Sequence, residues 1–210
     1  MEIIRTIPEL RARLSSEDQV CCVPTMGNIH DGHLSLVRIG KERAPIVVTT
    51  IFVNRLQFGK SDDFSRYPRT FEDDCGKLES LGNDIVFCPN EDEMYPEPQV
   101  FFIDPPKIAN GLEGRFRPGH FRGVCTVVTK LFNAVQPQMA VFGKKDYQQL
   151  AIIRELTEQL SLPIEIVPAE TVLSDDGLAL SSRNRFLNES ERSEAPRLRD
   201  TMIQIRDAIL

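Results

Sequence analysis

The chain has 210 residues, of which 41% are apolar and 27% charged, and a formal net charge of −6 at pH 7. This composition is typical of a globular protein that can bury a core, and it argues against nucleic acids or anionic membranes as partners, since both usually require a basic surface. No apolar run approaches the roughly 20 residues of a membrane-spanning helix, and the start lacks a signal-peptide layout, so we expect a cytoplasmic protein.

The periodicity predicts strands that alternate with helices. In chain order it gives strand "DQVCCVP", helix "HLSLVRIGKER" beginning near His33 or Leu34, strand "PIVVTTIFVN", helix "TFEDDCGKLESLG" capped by Thr70, and strand "DIVFCP". After a proline-rich loop come helix "FRGVCTVVTKLFNAV", strand "QMAVFG", helix "DYQQLAIIRELTEQL", one or two strands in "PIEIVPAETVL", and a last helix from the cap Asn188 to the end. This alternation predicts an α/β fold, with a mainly parallel sheet covered by helices on both faces and ligands beyond the carboxyl ends of the strands.

The five cysteines are odd in number and form no CxxC pair. The pattern predicts free thiols in a reducing compartment, without a disulfide framework, a zinc ribbon or a catalytic cysteine.

The stretch "VPTMGNIHDGHLSL" holds two of the three histidines, His30 and His33, just after the first predicted strand. A helix that starts there would offer N–H groups and a positive dipole end to a phosphate, and histidine can donate to phosphate oxygens. A plain turn with solvated histidines and a three-histidine metal site with His120 are the alternatives. The arginines around His120 disfavour a dication and favour an anion.

Three further polar stretches follow predicted strands or a flexible turn. The first has neutral amides for hydroxyl or carboxylate groups, the second a tight turn with two lysines, and the third two hydroxyls and a guanidinium that can bind phosphates. Each alone is also compatible with an ordinary polar loop. Their candidate residues are Asn54 and Gln57; Gly143, Lys144, Lys145 and Asp146; and Ser181, Ser182 and Arg183.

Six ordered stretches from about Val20 to Leu187 together resemble the pantoate–β-alanine ligase family. They are "VPTMGNIHDGHLSL", an HxGH-type signature, and "FVNRLQF", "YPRTFEDD", "GLEGRFRPGHFRGV", "FGKKDYQQL" and "DGLALSSRNRFL". The resemblance implies a Rossmann-like fold. It implies that ATP and (R)-pantoate form pantoyl adenylate and pyrophosphate, and that β-alanine then gives pantothenate and AMP. Mg²⁺ would accompany the ATP, and the protein would be a homodimer.

The resemblance also implies roles for individual residues. His33 would be the acid, with His30, Lys145 and Arg183 also catalytic. Gln57 and Gln149 would hold pantoate, with Asn54 and His120 as further substrate-binding candidates, and Asp73 and Asp74 would lie near Mg²⁺. The nucleotide would contact Met26, Gly27, Asn28, Ile29, His30, Asp31, Gly32 and His33, then Gly143 to Asp146, Val172 and Leu180, Ser181, Ser182 and Arg183.

The sequence departs from the family pattern in two ways. Arg55 stands where the family usually has proline. This puts in question the geometry of the turn from Asn54 to Gln57, called the substrate turn below, and its affinity for the substrate. The family also carries a C-terminal lid domain, so we expect residues 1–180 to form the ATP- and pantoate-binding domain. Residues 181–210 would supply the phosphate-binding loop and only the first helix of the lid, and turnover would be impaired if water reached the adenylate.

Two other functions use the same signals. A nucleotidylyltransferase with HxGH chemistry would need extra basic residues where Gln57 and Gln149 stand. A nucleotide- or RNA-binding module without catalysis would use the same turn, but the negative net charge argues against RNA.

Overall fold

The sheet has six parallel strands in the order β1-β4-β3-β2-β5-β6. The computed structural model describes residues 1–59 and 64–209. The strands are β1 (Glu2–Ile4), β2 (Val20–Thr25), β3 (Ile46–Ile51), β4 (Ile85–Phe87), β5 (Met139–Gly143) and β6 (Glu165–Ala169). The predicted parallel sheet is therefore confirmed.

Helices connect the strands and cover both faces of the sheet. They are α1 (Ile7–Leu14), α2 (Asp31–Arg43), α3 (Phe71–Ser80), α4 (Glu91–Met94), α5 (Leu112–Phe116), α6 (His120–Val135), α7 (Tyr147–Gln159), α8 (Glu189–Glu194) and α9 (Arg197–Ile209). Side chains of α1, α6 and α7 form the core on one face, and those of α2 and α3 form it on the other. None of the helices in the described residues is long and apolar enough to cross a membrane.

The structure and the predicted elements differ in several places. The edge strand β1 was not predicted, because only one of its three residues, Ile4, is buried and no apolar run marks it, yet it pairs with β4. The predicted strand around Leu173 is only an isolated antiparallel bridge to Ala179. The last predicted helix is divided into α8 and α9 near Pro196, which has no N–H to donate and restricts the residue before it. Its predicted final residue, Leu210, lies outside the described residues.

The direction in which successive strands are added to the sheet reverses between β2 and β5. On one side of β2 lie β3, β4 and the edge strand β1, and on the other side lie β5 and β6. The carboxyl ends of β2 and β5 therefore diverge into separate loops and leave a crevice between them, which is the usual ligand position in such sheets. The fold thus places Thr25 and Gly143, the last residues of these strands, at the mouth of a site.

Candidate active site

A cavity of about 210 Å³ opens in this crevice. Its walls come from the ends of β2 and β5, the start of α2, one side of α6, the start of α7, and residues 170–172 after β6. The prediction that ligands bind beyond the strand ends is consistent with this position.

The HxGH stretch forms the first turn of α2, and its two histidines cap the helix. His30 is the N-cap, and its Nδ1 accepts from the N–H of Gly32 at 3.1 Å. The Nδ1 of His33 accepts from the N–H of His30 at 3.3 Å. The helix therefore begins at Asp31, earlier than the predicted start near His33, because imidazole nitrogens take the place of the usual capping oxygens.

Gly32 permits this arrangement of the two rings. A Cβ at position 32 would lie 2.8 Å from Cε1 of His30, closer than unbonded carbon atoms approach. Without that atom the His30 ring folds back over the helix start, with its centroid 4.0 Å from that of His33. The glycine between the histidines therefore leaves room for the His30 ring in this position.

The surroundings of both histidines lower their pKa values, which favours neutral rings near pH 7. Burial, followed by the nearby His30 and Lys145, lowers the pKa of His33 to about 3. Burial, with Lys145 adding to it, also lowers the pKa of His30. Because each Nδ1 accepts a hydrogen bond, the single ring proton resides on Nε2, so each ring has an N–H donor left on a side chain that lines the cavity.

Helix α3 holds the turn that precedes these histidines. The buried carboxylate of Asp74 accepts from the N–H of Asn28 at 2.9 Å and from the N–H of Ile29 at 2.6 Å, and Thr70 donates to it at 3.1 Å. Lys77 adds a bond of 2.9 Å to the carbonyl of Ile29. These bonds stabilise Asn28 in the left-handed region, at a φ of 51°.

The two aspartates proposed for Mg²⁺ do not lie at the cavity. Both oxygens of Asp74 are engaged by the turn, and Asp73 pairs with Lys77 at 2.7 Å on the surface. Within residues 1–59 and 64–209, no three His, Cys, Asp or Glu side chains gather as metal ligands. The structure thus gives Asp74 a structural role, and these residues do not fit a resident metal.

The two adjacent lysines after β5 separate. Lys145 lines the cavity and lies 3.5 Å from the carboxylate of Asp146, whereas Lys144 turns to Glu170 and pairs with it. The residues expected to hold the ribose and α-phosphate are thus brought to the cavity at Gly143, Lys145 and Asp146, but not at Lys144.

The opposite wall of the cavity is apolar with two amides. Gln57 and Gln149 both line it, as expected for substrate-binding residues. One stripe of α6 supplies the apolar surface. That stripe was not assigned from the sequence, where its spacing indicates a helix but not which side of it faces a ligand. Its members are Val124, Val127, Val128 and Leu131.

Asn54 and His120, the two other substrate candidates, lie behind Gln57 instead of at the cavity surface. Asn54 is fully buried, and its amide donates to Oε1 of Gln57 at 3.0 Å. His120 is buried, and its Nδ1 lies 2.9 Å from the carbonyl oxygen of Gln57. Both contact the substrate turn rather than the cavity.

Arg55 directs its charge away from the cavity. It begins the 3₁₀ turn Arg55–Gln57 and forms an ion pair of 2.5 Å with Glu91. Its guanidinium lies 5.9 Å from the ring centroid of Phe64. The turn therefore forms without the proline that is usual at this position.

The loop at residues 180–183 meets the HxGH turn from the other side. Val172 and Leu180 line the cavity. The hydroxyl of Ser182 donates to the carbonyl of Asn28 at 3.3 Å, and the guanidinium of Arg183 lies 5.8 Å from the ring centroid of Tyr67. Ser181, whose hydroxyl caps the next 3₁₀ helix, and Arg183 do not line the cavity.

All five cysteines are free thiols in the structure. Burial raises the pKa of Cys21 and of Cys125 to about 12, so these thiols stay protonated. No cysteine lines the cavity.

The model of the pantoate-beta-alanine ligase family matches residues 2–209 of the chain. The chain belongs to this family. A pantothenate synthetase from Thermus thermophilus is 45% identical, with a TM-score of 0.97 over 100% of this chain and 76% of that protein. A second structure of the Thermus enzyme is 46% identical, with a TM-score of 0.90 over 93% of this chain and 71% of the other.

A third similar structure carries ligands. The pantoate-beta-alanine ligase of Francisella tularensis, complexed with beta-gamma ATP and beta-alanine, is 37% identical, with a TM-score of 0.90 over 94% of this chain and 77% of that protein. The predictions of the family, of an enzyme and of a Rossmann-like fold are thereby confirmed.

Proposed function

We propose that the chain condenses (R)-pantoate with β-alanine to give pantothenate, through a pantoyl adenylate, with ATP converted to AMP and pyrophosphate. The observation that carries this proposal is the convergence of His30, His33 and Lys145 on a cavity whose other wall is apolar with two amides. The complex of the Francisella relative with ATP and β-alanine names two of the three reactants.

In the first step a carboxylate oxygen of pantoate attacks the α-phosphorus of ATP, and the bond from that phosphorus to pyrophosphate breaks. Two anions must approach each other, so the reaction needs positive charge and hydrogen-bond donors at the phosphates. Lys145 supplies the charge at the cavity. The ribose and α-phosphate would lie against Gly143 to Asp146, and the adenine against Val172.

His30 and His33 act in this step as neutral donors. Their lowered pKa values keep them uncharged near pH 7, and their Nδ1 atoms are already engaged. The Nε2–H groups would donate to phosphate oxygens, whose charge grows as the bond to pyrophosphate breaks. This role replaces the expected action of His33 as an acid with transition-state stabilisation by hydrogen bonding.

The other wall fits the shape of pantoate, which has a quaternary carbon with two methyl groups between polar ends. The α6 stripe offers an apolar surface for the methyl groups, and Gln57 and Gln149 offer amides for the hydroxyl and carboxylate. A nucleotidylyltransferase acceptor with its own phosphate would instead meet no cation among the described residues of that wall.

In the second step the amine of β-alanine attacks the acyl carbon of the adenylate. The carbon–oxygen bond to AMP breaks, and the amine loses a proton as the amide of pantothenate forms. No protein nucleophile is needed, which agrees with the protonated cysteines. Mg²⁺ would enter with the phosphates of ATP. We also propose a cytoplasmic homodimer, in which the loop that begins at residue 181 moves onto the β- and γ-phosphates through Ser181, Ser182 and Arg183.

The reaction can be tested by product release. The chain is mixed with ATP and Mg²⁺, with and without pantoate and β-alanine, and pyrophosphate and AMP are quantified. We expect pyrophosphate only when pantoate is present, and free AMP and pantothenate only when β-alanine is added. Pyrophosphate release that is independent of pantoate would contradict the proposal.

A further inference from the structure

A chain of hydrogen bonds behind the cavity connects Tyr95, at the end of α4, with Gln57. The hydroxyl of Tyr95 bonds to Oδ1 of Asn54 at 2.8 Å. The Nδ2 of Asn54 donates to Oε1 of Gln57 at 3.0 Å and to the carbonyl oxygen of Gly123 at 3.2 Å. Tyr95 does not line the cavity.

The direction of every bond in this chain is determined by Gly123. A backbone carbonyl can only accept, so the amide of Asn54 must turn its NH₂ group toward α6. Its oxygen then faces Tyr95, whose hydroxyl acts as the donor. The second N–H of Asn54 points at Gln57, so the Oε1 of Gln57 must accept this hydrogen bond. The Nε2 of Gln57 is therefore left on the far side, 3.2 Å from Sδ of Met26, which lines the cavity.

The backbone of Gln57 is held independently of its side chain. Its carbonyl oxygen lies 2.9 Å from Nδ1 of His120 and accepts from Arg117 at 3.3 Å. A Cβ at Gly123 would lie 2.3 Å from the carbonyl oxygen of Leu56, so α6 approaches the turn as closely as only glycine allows. With the backbone fixed, rotation of the terminal amide is the main freedom of this side chain, and Asn54 restricts it.

We propose that Tyr95 is a positioning residue: its hydroxyl holds the side chain of Asn54 in the orientation that the carbonyl of Gly123 selects. Through Asn54 it holds Gln57 with an N–H donor facing the cavity, so the site selects an acid that offers oxygen lone pairs, a carboxylate or a hydroxyl, at this point. An amide turned the other way would present an oxygen, which repels a carboxylate and accepts only from a hydroxyl. The inference rests on the proposed function, because the selected ligand is pantoate.

The substitution Tyr95→Phe tests this role. The ring keeps its packing, with its centroid 6.0 Å from that of Phe52, so we expect the variant to fold, and its thermal midpoint checks this. Oδ1 of Asn54 loses its donor, so the KM for pantoate should rise about tenfold, while the KM for ATP stays within about twofold. The matched control is Tyr147→Phe, since Tyr147 is 62% exposed and does not line the cavity.

A double-mutant cycle with Gln57→Ala separates positioning from a general loss of structure. If Tyr95 acts through Gln57, Tyr95→Phe raises the KM for pantoate in the wild-type background and leaves it unchanged when position 57 is alanine. An equal rise in both backgrounds, or a rise in the KM for ATP of the same size, would overturn the inference.

A readout without substrate keeps the inference separate from the proposed function. The side-chain amide protons of Gln57, followed by NMR in the free protein, should shift and exchange faster in Tyr95→Phe than in Tyr147→Phe. Unchanged amide signals would overturn the role of Tyr95. Failure of the wild-type chain to release pyrophosphate with pantoate would overturn the proposed function instead. The amide signals would still show whether Tyr95 positions the side chain of Gln57.

Discussion

We propose two roles for each imidazole of the HxGH turn, one for each ring nitrogen. Nδ1 of His30 and of His33 caps α2, and the remaining Nε2–H is available for a phosphate. Substitution by alanine removes both tasks together, so it confuses stability with chemistry. Asparagine is a good N-cap, and glutamine is the usual partner three residues later, so these two residues can keep the cap while removing the imidazole.

His30→Asn should therefore separate the two tasks. We expect its thermal midpoint to stay near that of the wild type, while pantoate-dependent pyrophosphate release falls about 100-fold or more through loss of a donor to the reacting phosphate. His30→Ala should lose the same turnover and, in addition, about 1 kcal/mol of stability. Turnover that survives in His30→Asn would contradict the donor role.

The buried state of His33 should make stability depend on pH. The pKa of His33 is lowered to about 3 in the folded chain, compared with roughly 6.5 in the unfolded chain. Between these two pH values the unfolded chain binds a proton at His33 and the folded chain does not, so acidification favours unfolding. Between pH 7 and pH 5 this should remove about 2 kcal/mol from the free energy of unfolding, with no further change from this group once the pH falls below about 3.

Urea denaturation of the wild type and of His33→Gln at pH 7 and pH 5 measures this effect. The variant should lose less stability on acidification by about 2 kcal/mol, because glutamine does not titrate and carboxylates contribute to both proteins alike. An equal loss in the two proteins would show that His33 is not held neutral.

At the scale of elements, α3 supports a turn that belongs to a different part of the sequence. Asp74 binds two consecutive N–H groups more than 40 residues before it, and that turn leads directly into the capped start of α2. A carboxylate suits this place because it accepts from several donors at once, which stabilises a backbone with a positive φ. The turn before the two histidines thus depends on a helix that does not line the cavity.

Asp74→Asn and Asp73→Asn form a matched pair that tests this support against the metal role. Asp74→Asn turns an amide N–H toward a backbone donor and should cost about 2 kcal/mol of stability, with faster hydrogen exchange at Asn28 and Ile29. Asp73→Asn, which removes only a surface ion pair, should cost about 0.5 kcal/mol or less. A shift in the Mg²⁺ dependence of turnover in both variants would instead support the metal role.

Strands and helices with long apolar patterns could be predicted from the sequence because burial imposes their period. β3 and α6 are examples, since each is buried over most of its length. The edge strand β1 could not, because two of its three residues are exposed and its pairing with β4 depends on residues about 80 positions away. The break near Pro196 was readable in principle, since proline disfavours a continuous helix.

The site followed from the sequence most directly where a motif and a strand end coincide. His30, His33 and Lys145 reach the cavity from such positions. The roles of Asp74 and Asn54 could not be inferred, because each depends on which atoms of a distant segment its side chain meets. The separation of Lys144 from Lys145 has the same origin, since only the fold places Glu170 beside the first lysine.

At the scale of the whole molecule, the cavity joins the two halves of the sheet. One half supplies the HxGH turn and the substrate turn, and the other supplies Lys145, Gln149 and the segment after β6. ATP bound across the crevice would contact both halves, so binding should stabilise the folded chain as a unit. At ATP about 100-fold above Kd the gain would be about 2.7 kcal/mol, or roughly 5–10 °C in thermal midpoint for a protein of this size.

The adjacent lysines provide a matched test of this binding mode. Both side chains are 37% exposed, but only Lys145 lines the cavity, while Lys144 pairs with Glu170. Lys145→Gln should reduce the thermal shift produced by ATP with Mg²⁺ to less than about half, because a cation facing the phosphates is lost. Lys144→Gln should leave the shift unchanged. Since surface substitutions of this kind alter stability little, the midpoints without ATP should agree within a few degrees. Equal shifts in the two variants would mean that the phosphates do not lie beside Lys145. The two lysines are neighbours of equal exposure and differ mainly in which way their side chains point, so only a ligand in the cavity should distinguish them.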